Sequence, residues 1–205
     1  YLCNDTIKKI DNIDIQEDMQ ENIKYIEIGL DKMVKIISKL KELSKEKEKK
    51  NLELIDLKNT IREIVDKNNK IYKNKGIVIN FYSCEPMLLK GDKEEIAYMI
   101  ENILDNAVDA IDEMKSNNGK IEIRLSEKDA KIKLKIDDNG IGIDEDKLKY
   151  VFDPFFTTKD ISKGIGLGLT ECYEILKKHN AEIKIMSEKN LGTKVMISFE
   201  KKSYI

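Results

Sequence analysis

The chain has no tryptophan, two prolines (Pro86 and Pro154) and one histidine, His179. It also has no apolar run near the roughly 18–20 residues that a membrane-spanning helix needs. A lone histidine without clustered cysteines argues against a zinc centre, which takes about four such ligands. Cysteine is scarce too: Cys3, Cys84 and Cys172 are odd in number and widely spaced, with no CxxC pair. They read as reduced thiols of a cytoplasmic protein, not as a disulfide framework. A surplus of either charge is also missing, since 37 Lys and Arg face 39 Asp and Glu for a net charge of −2. That excludes a nucleic-acid partner held by a basic face, which requires clustered excess Lys and Arg. The N-terminus shows no signal-peptide pattern and does not start with methionine, so the expectation is a piece of a longer protein.

At 205 residues, 40% of them hydrophobic, the chain can fill one core but is lean for two. Ile23, Ile26, Leu30, Met33, Ile37 and Leu40 repeat with a 3-4-3-4-3 spacing, the seam of a coiled coil or helical bundle. So narrow a stripe needs partner helices. The reading is a helix over residues 20–50, an earlier helix ending near residue 13, and Asp14–Asp18 as their connection. These make a helical hairpin that pairs with a second copy.

Beyond a charged stretch, Leu52, Leu54 and Leu57 alternate as a strand, and a helical period resumes with Ile61, Ile64, Val65 and Ile71. Ile77, Ile79 and Phe81 alternate after Gly76. A strong helix is predicted over 93–114, strands over 121–125 and 131–136, a helix ending at Lys178, and strands over 181–187 and 194–199. Strands and helices are segregated more than alternating, which predicts an α+β fold, a two-layer α/β sandwich with a mixed sheet. The domains are then 1–48, helical, and 52–205, the sandwich.

Three segments carry candidate chemistry. On a helix, Asn102, Asn106 and Asp109 share one face while Ile103, Leu104, Ala107 and Ile111 take the other. Asparagine is a mediocre helix former, and a carboxamide oxygen can ligate Mg²⁺; a solvated helix face reads equally well. Asp137-Asp138-Asn139-Gly140-Ile141-Gly142-Ile143 follows a strand, and its glycines let backbone approach a ligand beside a carboxylate. An acidic surface turn has the same composition. Gly164-Ile165-Gly166-Leu167-Gly168-Leu169-Thr170 opens a helix, where free N–H groups and the positive dipole end suit phosphate. No Lys-Ser or Lys-Thr follows and no strand precedes it, so it is neither a Walker loop nor a dinucleotide fingerprint. Phe152–Lys159 stands just before it, a core plug or the anchor of a lid.

In this order the segments resemble the N, G1, F and G2 boxes of the sensor histidine kinase catalytic domain, within the superfamily of gyrase, Hsp90 and MutL. Gly192-Thr193 resembles the last short motif. The resemblance implies a Bergerat-type ATP-binding fold with ATP and Mg²⁺ as cofactors. It implies Asn106 on the metal, Asn102 supporting metal or phosphates, and Asp138 on the adenine amino group with Thr193 assisting. Gly140 and Gly142 would keep the adenine loop tight, and Gly164, Ile165, Gly166, Leu167, Gly168 and Leu169 would line the triphosphate. A lid over about Asp153–Lys163 would close on it, with Lys159 at the γ-phosphate. The N box continues Asp109-Ala110 where many members carry lysine and an aromatic, which implies a subclass.

The phosphoacceptor histidine of the family belongs on the first hairpin helix, and none is visible; His179, at the end of a helix, is expected to be structural. The implied protein is an ATP-dependent histidine kinase of a two-component system. It works as a homodimer through the hairpin with a response regulator receiver domain as partner, and this chain alone cannot autophosphorylate at the usual site. Two alternatives remain: a dimeric ATP-binding scaffold that has lost phosphotransfer, and an anti-sigma-factor-type serine kinase.

Overall fold

The computed structural model describes residues 13–44, 52–83, 85–115, 118–159 and 164–201. They divide into two compact units, residues 13–44 with Lys159, and residues 52–158 with 164–201. The expected tail of an earlier helix before residue 13, Cys3 and Cys84 lie outside the described residues.

The first unit is one helix, α1 (Ile13–Ser44), 32 residues long, or about 48 Å at 1.5 Å per residue. Residues 14–18, expected as a connection, are helical instead. No glycine or proline interrupts them, and Ile15 and Met19 extend the apolar spacing backwards, so the helix propagates through them. Ile26, Leu30, Met33 and Ile37 are 55–64% exposed.

The second unit runs β1 (Glu53–Asp56), α2 (Leu57–Asn74), β2 (Ile77–Tyr82), β3 (Leu88–Gly91), α3 (Lys93–Glu113), β4 (Gly119–Lys128) and β5 (Lys131–Asp138). It continues with α4 (Glu145–Leu148), α5 (Gly168–Lys178), β6 (Ala181–Glu188) and β7 (Gly192–Glu200). Five strands form one sheet in the order β2-β4-β5-β7-β6, with β1 and β3 a separate antiparallel pair. Only β2 and β4 run parallel; the other neighbours in the five-stranded sheet are antiparallel. The mixed sheet of the α+β sandwich is therefore present.

Alternation decides which face is covered. Ile121, Ile123, Leu125, Ile132, Leu134, Ile136, Val195, Ile197 and Phe199 are buried, while Lys120 and Arg124, in the alternate register of β4, are exposed. Helix α3 lays Ile96, Met99, Ile100, Ile103, Leu104, Ala107 and Ile111 into the same core, joined by Ile61 and Ile64 of α2 and Leu176 of α5. Truncating a side chain as enclosed as Phe199 to alanine costs about 3–5 kcal/mol.

Two helix starts, those of α2 and α3, are capped by aspartates. Asp56 Oδ1 accepts from Lys58 N at 3.0 Å and Asn59 N at 3.4 Å, so Leu57, expected to close the strand, instead begins α2. Asp92 Oδ1 accepts from Glu94 N at 3.0 Å and Glu95 N at 3.1 Å at the start of α3. Such caps are worth about 1 kcal/mol each. Two short elements, β3 and α4, have no signal in the sequence: four residues are too few to show a period.

Candidate functional site

Helix α3 presents its two faces as the 3.6-residue period requires. Ile103, Leu104, Ala107 and Ile111 are buried, and Asn102, Asn106 and Asp109 are half-buried on the other side. Asn102 donates its Nδ2 to the carbonyl of Tyr98, one turn earlier, at 3.0 Å. Its Oδ1 is left pointing at the start of α5, where a Cβ placed on Gly168 would lie 2.9 Å away. Gly168 is thus the residue that lets the first turn of α5 close on Asn102. The residue before it, Leu167, supplies no side-chain cap. The N–H groups of that first turn can therefore meet a ligand.

The glycines ahead of α5 are tied to the aromatic segment. Gly166 has φ +74°, and its carbonyl accepts the Phe155 N–H at 2.9 Å. A Cβ at Gly166 would fall 2.5 Å from the Phe156 carbonyl oxygen, so a larger residue cannot make this approach. Thr170 Oγ1 donates to the Phe152 carbonyl at 3.1 Å, and Phe152 packs on Tyr173 with ring centroids 5.4 Å apart. Gly164, Ile165, Leu167 and Leu169 are half-buried. Lys159 belongs to the first unit, and of the expected lid only residues up to 159 are described.

Asp138 ends β5. Its Oδ1 accepts the backbone N–H of Gly140 at 2.9 Å and that of Thr193 at 3.2 Å. Burial pushes its carboxyl up to about 6, against the pull of these two donors, with Asp137 adding a smaller push. The loop beyond is held from several sides. Gly140 lies against Ala110 of α3, whose carbonyl accepts the Ile141 N–H at 3.0 Å. Ala110 meets Gly140 closely, since a Cβ on Gly140 would sit 2.7 Å from the Ala110 methyl. Gly142 has φ +69° and would bring a Cβ 2.1 Å from the Glu188 carbonyl.

Two residues have roles here that a reading of the sequence does not assign. Asn139 accepts from Lys120 N at 2.7 Å and donates to the Asn118 carbonyl at 2.8 Å, which fastens the loop to β4. Ser187 Oγ accepts from Ile143 N at 2.8 Å and lies 2.8 Å from Thr193 Oγ1. The signal for Ser187 is a polar residue continuing the inward register of Ile183 and Ile185 on β6.

His179 closes α5, with its side chain 3% exposed. Its Nε2 accepts the Asp92 N–H at 3.0 Å and its Nδ1 donates to the Ile175 carbonyl at 2.7 Å, so a neutral ring satisfies both contacts. A cation placed between Asn102, Asn106 and the start of α5 would find carboxamide oxygens, which suit Mg²⁺. Among the described residues no group of three or more His, Cys, Asp and Glu side chains could cage a metal by itself. The cation would therefore draw on phosphate and water.

A half-buried aspartate bonded to the Gly140 and Thr193 N–H groups, an asparagine stripe on α3 and a glycine-led helix start without a side-chain cap are therefore brought together in this unit. Residues 91–203 match the family described as histidine kinase-, DNA gyrase B-, and HSP90-like ATPase, and the chain belongs to that family. Sporulation kinase D of Bacillus subtilis (strain 168) is 34% identical over 145 residues, covering 71% of this chain and 27% of that protein. Sporulation kinase A of the same organism is 30% identical over 188 residues, covering 90% of this chain and 30% of that protein. The catalytic domain of histidine kinase ThkA superposes with a TM-score of 0.65 at 27% identity, over 74% of this chain and 96% of that domain. The chain carries the ATPase domain of this family and spans under a third of the length of these two curated relatives.

Proposed function

We propose that the chain binds Mg²⁺-ATP between α3 and α5 and supplies its γ-phosphate to a histidine, for relay to an aspartate of a response regulator. The observation that carries this reading is the closure of Gly168 on Asn102, which joins the asparagine stripe to an open helix N-terminus. In this reading Asp138 accepts from the adenine amino group, with Thr193 beside it. Asn106 ligates the cation and Asn102 supports it; the metal would neutralise charge on the phosphates. Gly164, Gly166 and Gly168 bring backbone N–H groups to the phosphates. Phosphoryl transfer is mainly positioning and charge stabilisation, and these groups cover the ATP side of it.

His179, the single histidine of the sequence, spends both ring nitrogens inside the fold, so it is not the acceptor in this reading. The exposed apolar stripe of α1 supports a homodimer through paired helices, with 1–48 as the dimerisation segment and 52–205 as the catalytic domain. A receiver domain is the partner proposed for relay; ThkA has been solved in complex with the response regulator TrrA. ATP as substrate puts the work in the cytoplasm, and no helix among the described residues is long and apolar enough to cross a membrane.

Calorimetry of Mg²⁺-dependent ATP binding tests the reading, comparing the chain with Asn106→Ala and Asp138→Ala. Binding that needs Mg²⁺ and weakens in both variants is expected. No binding at millimolar ATP by a folded chain refutes it and leaves a dimeric scaffold.

A further inference from the structure

Ser187 lies outside every motif of the sequence, yet its hydroxyl touches Thr193 and the loop after Gly142, beside the aspartate proposed to hold adenine, and the role given to it rests on that reading. On β6 it pairs directly across from Thr193 of β7. Its Oγ accepts the Ile143 N–H at 2.8 Å, and it donates to the Gly192 carbonyl at 2.9 Å. The third contact, with Thr193 Oγ1 at 2.8 Å, has no donor assigned by geometry alone.

Proton counting assigns it. A serine hydroxyl has one proton, and a carbonyl can only accept. With the Ser187 proton on Gly192, the proton between the two hydroxyls must come from Thr193. Thr193 then turns only lone pairs outward. Its backbone N–H is on Asp138 Oδ1 at 3.2 Å, so the threonine oxygen and the aspartate carboxylate share one corner. Two acceptors side by side suit a group with two N–H bonds and repel a carbonyl oxygen. The Ile143 contact locks the loop after Gly142 to the same hydroxyl, so the corner holds its shape before a ligand arrives.

We infer that Ser187 is a specificity-determining positioning residue, fixing Thr193 as an acceptor so that the site takes 6-amino purine nucleotides and rejects 6-oxo ones. Without the serine, the Thr193 hydroxyl is free to rotate and can donate to a carbonyl at the purine 6-position.

The experiment measures binding of ATP and of inosine triphosphate, each with Mg²⁺, to the parent chain, Ser187→Ala and Ser187→Thr. Circular dichroism melts confirm that each is folded. The parent should prefer ATP. Ser187→Ala should lose roughly tenfold of that preference, about the worth of one hydrogen bond, mostly through tighter inosine triphosphate binding. Ser187→Thr, which keeps the hydroxyl, should restore it. A purely structural serine would weaken both nucleotides equally and leave their ratio unchanged, and that result overturns the inference. So does a parent chain that binds both nucleotides alike. A folded parent that binds neither refutes the ATP-site reading itself.

Discussion

Thr193 donates its backbone N–H to Asp138 Oδ1 at 3.2 Å, joining two residues 55 positions apart. This bond sets the carboxylate against the β6–β7 turn, where burial lifts its pKa from 3.8 to about 6.

Stability should depend on pH through that shift. Between about pH 4 and pH 6 the folded chain holds the Asp138 proton while the unfolded chain has released it. Stability therefore falls as pH rises through this window and stays lowered above it. Asp138→Asn keeps an oxygen for Gly140 and Thr193 without the buried charge. It should be more stable than the parent at pH 7.5 by about 1–3 kcal/mol and nearly equal to it below pH 4. Thermal melts across this range check both ends; a constant difference at all pH values counts against the assignment. ATP binding that uses the ionised carboxylate should weaken below about pH 6.

Gly192→Ala tests how tightly the corner is built. Gly192 has φ +105°, and a Cβ there would fall 2.0 Å from the Asp138 carbonyl oxygen. Backbone strain and overlap together should cost about 3 kcal/mol or more. Urea unfolding gives the figure, and a change under about 1 kcal/mol would mean that the turn relaxes easily.

His179→Ala removes the acceptor for the Asp92 N–H at the α3 cap and leaves a buried donor unpaired, a loss of about 1–3 kcal/mol. His179→Gln can place an oxygen near the Nε2 position and should recover part of it. No acid-labile phosphate should form on this histidine in the presence of Mg²⁺-ATP, as mass spectrometry of the intact chain would reveal.

On α1, Leu30→Lys puts a charge into the exposed stripe of Ile26, Leu30, Met33 and Ile37. If that stripe is the dimer seam, each protomer loses about 1.5–3 kcal/mol of leucine burial. Sedimentation should then show the association weakened by at least tenfold. An unchanged dimer would move the interface elsewhere.

Long periodic segments are legible in the amino-acid order. The core face of α3 is readable because Ile96, Ile100, Ile103, Leu104, Ala107 and Ile111 recur at helical spacing along a helix of 21 residues. The inward faces of β4 and β5 come from strict alternation, Ile121, Ile123 and Leu125 against Ile132, Leu134 and Ile136. The motif residues stand out by composition, since paired asparagines on a helix and glycines before one serve no core. Residues 14–18 mislead because polar, acidic sequence fits a turn and a solvated helix alike; neighbouring helix on the C-terminal side carries it.

Local pattern thus established the α+β class and the family, because period and residue type are properties of short stretches of chain. Folding established which motifs meet. Gly168 reaches Asn102 only because α5 packs on α3, and Asp138 reaches Thr193 only because β5 and β7 are neighbours in the sheet. Ser187 acquires its meaning the same way: one hydroxyl, with one proton to give, becomes directional when pairing sets Gly192, Thr193 and Ile143 around it. Hydrogen bonds act over about 3 Å, and no spacing along the chain encodes a distance that short between residues so far apart.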